Sequence, residues 1–291
     1  KRYVLYYRKV PEQVRAIARS TSDDFLDWSK PQMMTYSDTN SAKPSHHLYV
    51  NQTHPYVRAP HIYLGVAARF MPGRRVVTDA EAKEIGVAKG YAGDCSDVVL
   101  LSTRGGNRYE REFGEAFIRP GLGAENWVSR TNYPALGIVE TAPGELSLYI
   151  EKNYGQPTIH LRRYTLRTDG FASVYAGSAG GAFVTKPLRF DIEKSAEEST
   201  VNVSAGTKRE LELNFATSAA GSIEVEIQDE AGQPIDGFSL ADCDTIIGDR
   251  IAHVAKWKGK SDVSSLAGRN VRLRFVLEDA DVYSLRFRRA E

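Results

Sequence analysis

Arginine, tryptophan and carboxylate side chains lie close together in one glycine-rich stretch of the sequence, IRPGLGAENWVSR. Arg119 and Arg130 flank the turn, and Trp127 lies between them. The face of an indole ring stacks on the C–H face of a sugar, and a guanidinium group donates planar hydrogen bonds to the hydroxyls. The segment therefore predicts a sugar-binding site. The alternative is an arginine–carboxylate pair and a packed tryptophan that stabilise the fold.

One glutamate is a candidate for acid–base chemistry. Glu151 ends the segment ELSLYIE, on the same side of an extended strand as Glu145, and NYG follows it. A carboxyl group at the end of a strand can protonate a leaving group or bind a sugar hydroxyl. We therefore take Glu151 as the candidate catalytic acid, with a solvated surface glutamate as the alternative.

Two histidines and an arginine precede a short apolar run in NQTHPYVRAPHIYLG. His54 and His61 have no neighbouring Asp, Glu or Cys at ligand spacing, so we predict no metal site. Alternation points Arg58 and His61 to opposite sides of the chain, but both lie near the start of a predicted strand. We expect at least one of them to contact a ligand, and a structural hydrogen-bonding role is the alternative. Because no GxSxG, P-loop or GxGxxG motif occurs in a suitable context, we predict no cofactor.

The elements that must position these residues are β-strands. Runs such as Tyr3–Arg8, His61–Ala67 and Val98–Ser102 are separated by segments rich in Gly, Pro, Asp and Asn. Strand pairs followed by charged hairpins recur at intervals of about 50 residues, which is typical of propeller blades. The single helix that we predict lies within residues 78–90, and Gly86 limits it to at most about two turns. The sequence therefore predicts an all-β fold.

The alternation becomes stricter after GSAGGAF, residues 177–183, which we interpret as a linker or a tight crossing. Leu211, Leu213 and Phe215 share one face of a predicted strand, and the segments VRLRFVL and VYSLRFRR repeat this pattern near the end. Alternation with polar outward positions is typical of a two-sheet sandwich. We therefore place propeller blades in residues 1–180 and a β-sandwich in residues 184–291.

Charge and composition argue against two classes of partner. With 38 basic and 37 acidic residues the formal net charge is +1, so the positive charge expected of a nucleic-acid binder or an anionic-membrane binder is missing. No apolar run approaches the roughly 18 residues of a membrane span. Cys95 and Cys243 are too few to define a disulfide framework, and we predict two free thiols, with one bridge between them as the alternative.

Several short motifs resemble those of known proteins. In STSDDFLDWSKP, the residues Ser22, Asp24 and Trp28 resemble the S-x-D-x-x-x-W hairpin that ends many blades in five-bladed propeller glycosidases of glycoside hydrolase families 32 and 43. Over nearly the whole chain, the segments AFIRPG, NWVSR, RRYTLRTDGF and DADVYSLRF are similar to bacterial glycosyl-hydrolase-like proteins. The resemblance implies a partial five-bladed-type β-propeller followed by a C-terminal β-sandwich.

The same resemblance implies a carbohydrate partner and a secreted or periplasmic location. The implied activity is hydrolysis of a neutral oligo- or polysaccharide by a carboxylate pair in an axial propeller pocket. We expect the lining of that pocket to include Arg58, His61, Arg119, Trp127 and Arg130. A carbohydrate-binding protein without catalysis is the alternative, and a structural module without a ligand is a third hypothesis.

The first blades depart from the family pattern. The resemblance implies a catalytic carboxylate on the first blade, in a WMNDPNG-type motif that is absent here, whereas residues 1–183 correspond to about three blades. The chain also begins directly in a predicted strand, RYVLYYRK. We therefore expect a missing N-terminal segment, or a second copy of the chain, to complete the propeller.

Overall fold

A computed structural model describes residues 2–37, 47–111, 113–190 and 208–290. Strands form most of its regular structure, which confirms the predicted all-β fold. The chain divides into two compact units: unit 1 comprises residues 1–141 and 146–165, and unit 2 comprises residues 142–145 and 166–291. The structure thus assigns residues 166–180 to the second unit, whereas the sequence placed them in the first domain.

Small antiparallel sheets make up the first part of the chain. The first sheet contains β1 (Tyr3–Lys9), β2 (Ala16–Ser22) and β3 (Gln32–Met33). The second contains β5 (His47–Tyr49), β6 (His54–Tyr56), β7 (Ala59–Met71) and β8 (Cys95–Thr103). The third contains β10 (Tyr133–Pro134), β11 (Val139–Ala142), β12 (Glu145–Lys152) and β13 (His160–Arg167). β4 (Thr35–Tyr36) and β9 (Arg108–Tyr109) form a separate parallel pair. Sheets of three or four strands are consistent with propeller blades.

The helix α1 (Asp79–Glu84) joins β7 to β8. The Thr78 hydroxyl accepts a hydrogen bond from the Glu81 N–H at 3.2 Å, and the Glu81 carboxylate accepts one from the Thr78 N–H at 2.7 Å. This capping box pairs two N–H groups that the first turn leaves free. Gly86 has a φ of +64° and lies just beyond the helix, as predicted. Among the described residues, no helix has the length and apolar character needed to cross a membrane.

The S-x-D-x-x-x-W hairpin between β2 and β3 is held by its own polar side chains. The Ser22 hydroxyl accepts from the Phe25 N–H at 2.8 Å, and Asp24 Oδ1 accepts from the N–H groups of the two residues after Phe25, both at 2.9 Å. Trp28 Nε1 donates to the Phe25 carbonyl at 3.1 Å. These hydrogen bonds lower the pKa of Asp24 and keep it ionised as a turn-forming group. The motif therefore has a structural role in the turn.

In the described part of the second unit, six strands form an antiparallel sheet around one core. Its strands are β14 (Val174–Ala176), β15 (Gly181–Val184), β16 (Leu188–Arg189), β17 (Arg209–Gln228), β18 (Asp249–Val254) and β19 (Asn270–Arg289). β17 pairs with β19 over most of its length, and alternate residues such as Leu213, Val225 and Phe275 are fully buried, as predicted. β15 pairs with β19, so part of the segment 177–183 is a strand of this sheet.

Candidate functional site

An arginine–aspartate pair lies where β7 ends and β8 begins. The two strands are antiparallel, and Arg69 lies directly opposite Asp97. Arg69 Nε donates to Asp97 Oδ1 at 2.8 Å and Nη2 donates to Oδ2 at 2.5 Å, while Nη1 donates to the Gly114 carbonyl at 2.8 Å. The side chains are only 14% and 16% exposed. Such a bidentate pair has a fixed geometry, and here it also anchors the loop that begins near Gly114.

The loop from Gly114 to Arg130 is held by backbone turns and side-chain hydrogen bonds. Gly121 and Gly123 have φ values of +105° and +90°, which favour glycine. Trp127 Nε1 donates to the Gly121 carbonyl at 2.9 Å, so the polar edge of the indole is paired within the loop. Asn126 is buried and donates to the Leu122 carbonyl. The half-buried Trp127 ring is thereby fixed in position.

The Arg69–Asp97 pair and this loop line a cavity of about 690 Å³ that is open to solvent, which we call the Trp127 cavity. Arg119 and Trp127, two of the predicted ligand contacts, both line it. Two carboxylate residues also line it, Asp97 and Glu115. The volume lies within the range of about 300–1,000 Å³ that is typical of small-molecule sites. The cavity therefore combines an aromatic ring, guanidinium groups and two carboxyl groups.

A buried polar network supports the wall of the Trp127 cavity. Lys152 is fully buried and donates from Nζ to the Pro120 carbonyl at 2.9 Å and to Asn132 Oδ1. Asn132 Nδ2 donates in turn to the Ser96 carbonyl at 2.8 Å, and both Pro120 and Ser96 line the cavity. Burial lowers the pKa of Lys152 to about 8, with a smaller contribution from the positive charge of Arg162. Lys152 thus pairs backbone and amide oxygens that water does not reach.

Arg130 and Glu151, the other two candidates of this region, are not among the residues that line the Trp127 cavity. A second group of side chains lies on the opposite face of β7. Because side chains alternate along a strand, Phe70 belongs to that face and Arg69 does not. Arg15 packs its guanidinium carbon 4.4 Å from the centroid of the Phe70 ring and 4.9 Å from that of Tyr49. The hydroxyl groups of Tyr49 and Tyr133 share a hydrogen bond.

Arg130 and Glu151 are both near Tyr133. Arg130 lies 4.6 Å from the centroid of the Tyr91 ring, and its Nη1 donates to the Tyr91 hydroxyl at 2.6 Å. Glu151 pairs with Tyr133 across β10 and β12, so the two side chains share a face of that sheet. We use the name tyrosine–arginine cluster for Arg15, Tyr49, Phe70, Arg130, Tyr133 and Glu151, together with the exposed Arg8, whose charge acts on the Tyr49 hydroxyl. Burial raises the pKa of Glu151, which is the direction that an acid catalyst requires.

Arg58 and His61 lie apart from both groups. They belong to the hairpin of β6 and β7, and both side chains are exposed. His61 is nine residues from Phe70 on the same strand, which corresponds to about 30 Å at the usual rise per residue. The structure therefore brings Arg119 and Trp127 together, places Arg130 and Glu151 in a second group, and leaves Arg58 and His61 at the distant end of β7.

Sequence reasoning missed several residues of these sites. Asp97 and Arg69 meet only through the register of β7 and β8. Aligning the apolar alternation of the two predicted strands could have indicated that register. Glu115 lies in an irregular loop, so it has no local sequence signal. Within the described ranges, no group of three His, Cys, Asp or Glu residues could hold a metal ion. Cys95 and Cys243 are free thiols.

Comparisons with known proteins assign no family to this chain. No family model matches the sequence, and no curated protein matches it. Among solved structures, a GH32 β-fructofuranosidase of Bombyx mori aligns with 98% of this chain and 77% of its own, at 10% sequence identity and a TM-score of 0.24. Because a similarity at this level assigns neither family nor activity, the functional inference depends on the side chains described above.

The buried Lys152 predicts a pH-dependent stability. Its pKa is about 8 in the folded chain, whereas the pKa of an unperturbed lysine is 10.5. The unfolded chain therefore binds more protons between these values, and stability rises with pH in that window. In wild type relative to Lys152→Met, we expect a gain in the free energy of unfolding of about 1.5 kcal/mol from pH 8 to 9.5.

Urea denaturation at a series of pH values measures this difference. The Lys152→Met variant is the control, because its tyrosines and other titrating groups are those of the wild type. Identical pH profiles for the two chains would contradict a buried, proton-releasing lysine.

Proposed function

We propose that this chain binds a neutral oligosaccharide in the Trp127 cavity. The observation that supports the proposal is the placement of Trp127, Arg119 and two carboxylates around one cavity of suitable size. A sugar ring has an apolar C–H face and a rim of hydroxyls that both donate and accept hydrogen bonds. An indole ring, guanidinium donors and carboxylate acceptors match these features.

Hydrogen bonds within the Trp127 cavity preorganise its side chains for sugar binding. Trp127 already pairs its Nε1 with Gly121, so stacking on the ring face leaves no polar group of the indole unpaired. Asp97 accepts one bond at each oxygen from Arg69, and each carboxylate oxygen has a second lone pair for a sugar hydroxyl. Arg69 already fixes the Asp97 carboxylate. A sugar hydroxyl that donates to it therefore binds without the entropy loss of ordering that side chain.

Trp127→Ala tests the binding proposal. Loss of the stacking surface is expected to weaken binding of a neutral oligosaccharide about tenfold or more, since about 1.4 kcal/mol corresponds to a tenfold change. A panel of neutral glycans identifies a ligand for the wild-type chain, and isothermal titration calorimetry then measures its affinity for each variant.

Trp28→Ala is the matched control, because Trp28 belongs to a hairpin away from the cavity lining. It is expected to bind with wild-type affinity. The proposal fails if no neutral glycan binds, or if Trp127→Ala binds as tightly as the wild-type chain.

Hydrolysis of the bound glycan is a second candidate function. The observation that favours it is the presence of two carboxyl groups, Asp97 and Glu115, on one cavity, because glycoside hydrolysis uses such a pair. The two hydrogen bonds from Arg69 hold the Asp97 carboxylate in a fixed position, which suits a nucleophile or a general base. Glu115 is exposed at the cavity and would have to supply the proton. In this arrangement Glu115 takes the role that the sequence suggested for Glu151.

For the hydrolase candidate, Glu115→Gln is expected to lower the release of reducing ends about 100-fold or more, because an amide cannot donate the proton. The affinity for the oligosaccharide should be retained. Glu84→Gln, on the exposed helix α1, is the control and should keep wild-type activity. If the wild-type chain binds a glycan and releases no reducing ends from it, the hydrolase candidate is excluded while the binding proposal stands.

A further inference from the structure

The tyrosine–arginine cluster contains positive charge that lacks a negative partner. The charges of Arg15, Arg130 and Arg8 all act on the Tyr49 hydroxyl. Within the described part of the chain, none of these three arginines forms an ion pair with a carboxylate. Arg8 is exposed, whereas Arg15 and Arg130 are half-buried. Half-buried arginines are usually paired, because an unpaired charge loses part of its hydration without compensation. The cluster therefore has an excess of positive charge, which is typical of an anion-binding site.

Arg15 has a free hydrogen-bond donor in this cluster. Its guanidinium packs against the rings of Tyr49 and Phe70 at 4.9 and 4.4 Å. Its Nη1 atom is buried and has no hydrogen-bond partner. A buried donor without a hydrogen bond has lost its hydration with no compensating partner. The stacked rings hold the guanidinium group in place, and its other nitrogens, which form no hydrogen bond within the described residues, are the donors that an anion would reach.

Arg130 is also held against an aromatic ring. The Tyr91 ring and hydroxyl fix its guanidinium, and its backbone has a φ of +60°. An arginine in this left-handed region is uncommon, and such strain concentrates at ligand sites. The hydroxyl groups of Tyr91 and Tyr154 both interact with its guanidinium group, which has five N–H donors in all, so further donors remain.

Three sheets contribute to the cluster. Arg15 immediately precedes β2 of the first sheet, Tyr49 ends β5 of the second, and Tyr133 begins β10 of the third. Strand ends from different blades converge in this way at the axis of a propeller, where ligands bind. Glu151 is the one carboxyl residue of the cluster, and its carboxylate forms no ion pair or hydrogen bond within the described residues.

We propose that the tyrosine–arginine cluster binds an oxyanion of the size of a carboxylate or a sulfate group, either free or carried by an acidic sugar. Arg15 and Arg130 donate to its oxygens, Arg8 adds positive charge, and the tyrosine hydroxyls border the site. The site uses residues other than those of the Trp127 cavity. Its ligand is therefore a second one, or an acidic substituent that the neutral-sugar site does not recognise.

Calorimetric titration of the 291-residue chain with sodium sulfate, glucuronate and glucose tests this proposal. We expect sulfate or glucuronate to bind and glucose not to bind at this site. Arg15→Gln should weaken anion binding about tenfold or more, because it removes a charge-assisted donor. Glu151→Gln should strengthen it, because it removes the one negative charge of the cluster. Preference for glucuronate over sulfate identifies a sugar acid as the ligand, and preference for sulfate identifies a free or esterified sulfate.

Two further variants separate the possible explanations. Arg104→Gln removes the same charge from an exposed hairpin and should bind the anion as the wild-type chain does. Trp127→Ala should also keep anion binding, so failure of the Trp127 cavity proposal and failure of this one are distinguishable. If Arg15→Gln does not fold, as judged by circular dichroism, Arg130→Gln takes its place. The proposal is overturned if neither anion binds the wild-type chain, or if the folded arginine variant binds with unchanged affinity.

Discussion

The bidentate pair of Arg69 and Asp97 is the interaction on which the candidate site depends. It joins the end of β7 to the start of β8, and its third donor anchors the loop that carries Trp127. Because the pair is largely buried, loss of one partner would leave an uncompensated charge, which costs more than the pair itself contributes. The same pair provides the cavity with a fixed acceptor. Stability of the loop and chemistry of the site therefore rest on the same atoms.

Irregular backbone forms much of the cavity wall, and buried polar side chains make this possible. A loop that packs against a protein interior must pair its carbonyl groups, since water cannot do so. Lys152 and Asn132 provide that pairing for Pro120 and Ser96. A lysine with three donors can serve several oxygens at once, but it does so at the cost of desolvation, which its lowered pKa records.

Local patterns in the sequence predicted the strands, and they predicted the site only in part. Alternation located the buried residues of β17 and β19, because period-two burial is a property of each strand alone. Arg119 and Trp127 were found together because one loop carries both. Asp97 and Glu115 were missed, since strand register and loop closure bring them there. Arg130 lies only three residues after Trp127, yet its side chain contacts a different group of residues. In an irregular segment, the spacing of two residues does not indicate the directions of their side chains.

The central claim is that sugar binds against Trp127, and fluorine NMR of the chain labelled with 5-fluorotryptophan tests it directly. The sequence contains three tryptophans. Trp127 lines the cavity, Trp28 lies in the β2–β3 hairpin, and Trp257 is buried in the core of the second unit. Titration with a neutral oligosaccharide that binds the chain should shift the fluorine resonance of Trp127 and leave the resonances of Trp28 and Trp257 unchanged. If the ligand saturates the chain and the Trp127 resonance does not shift, or if the Trp28 resonance shifts instead, the sugar does not bind against Trp127.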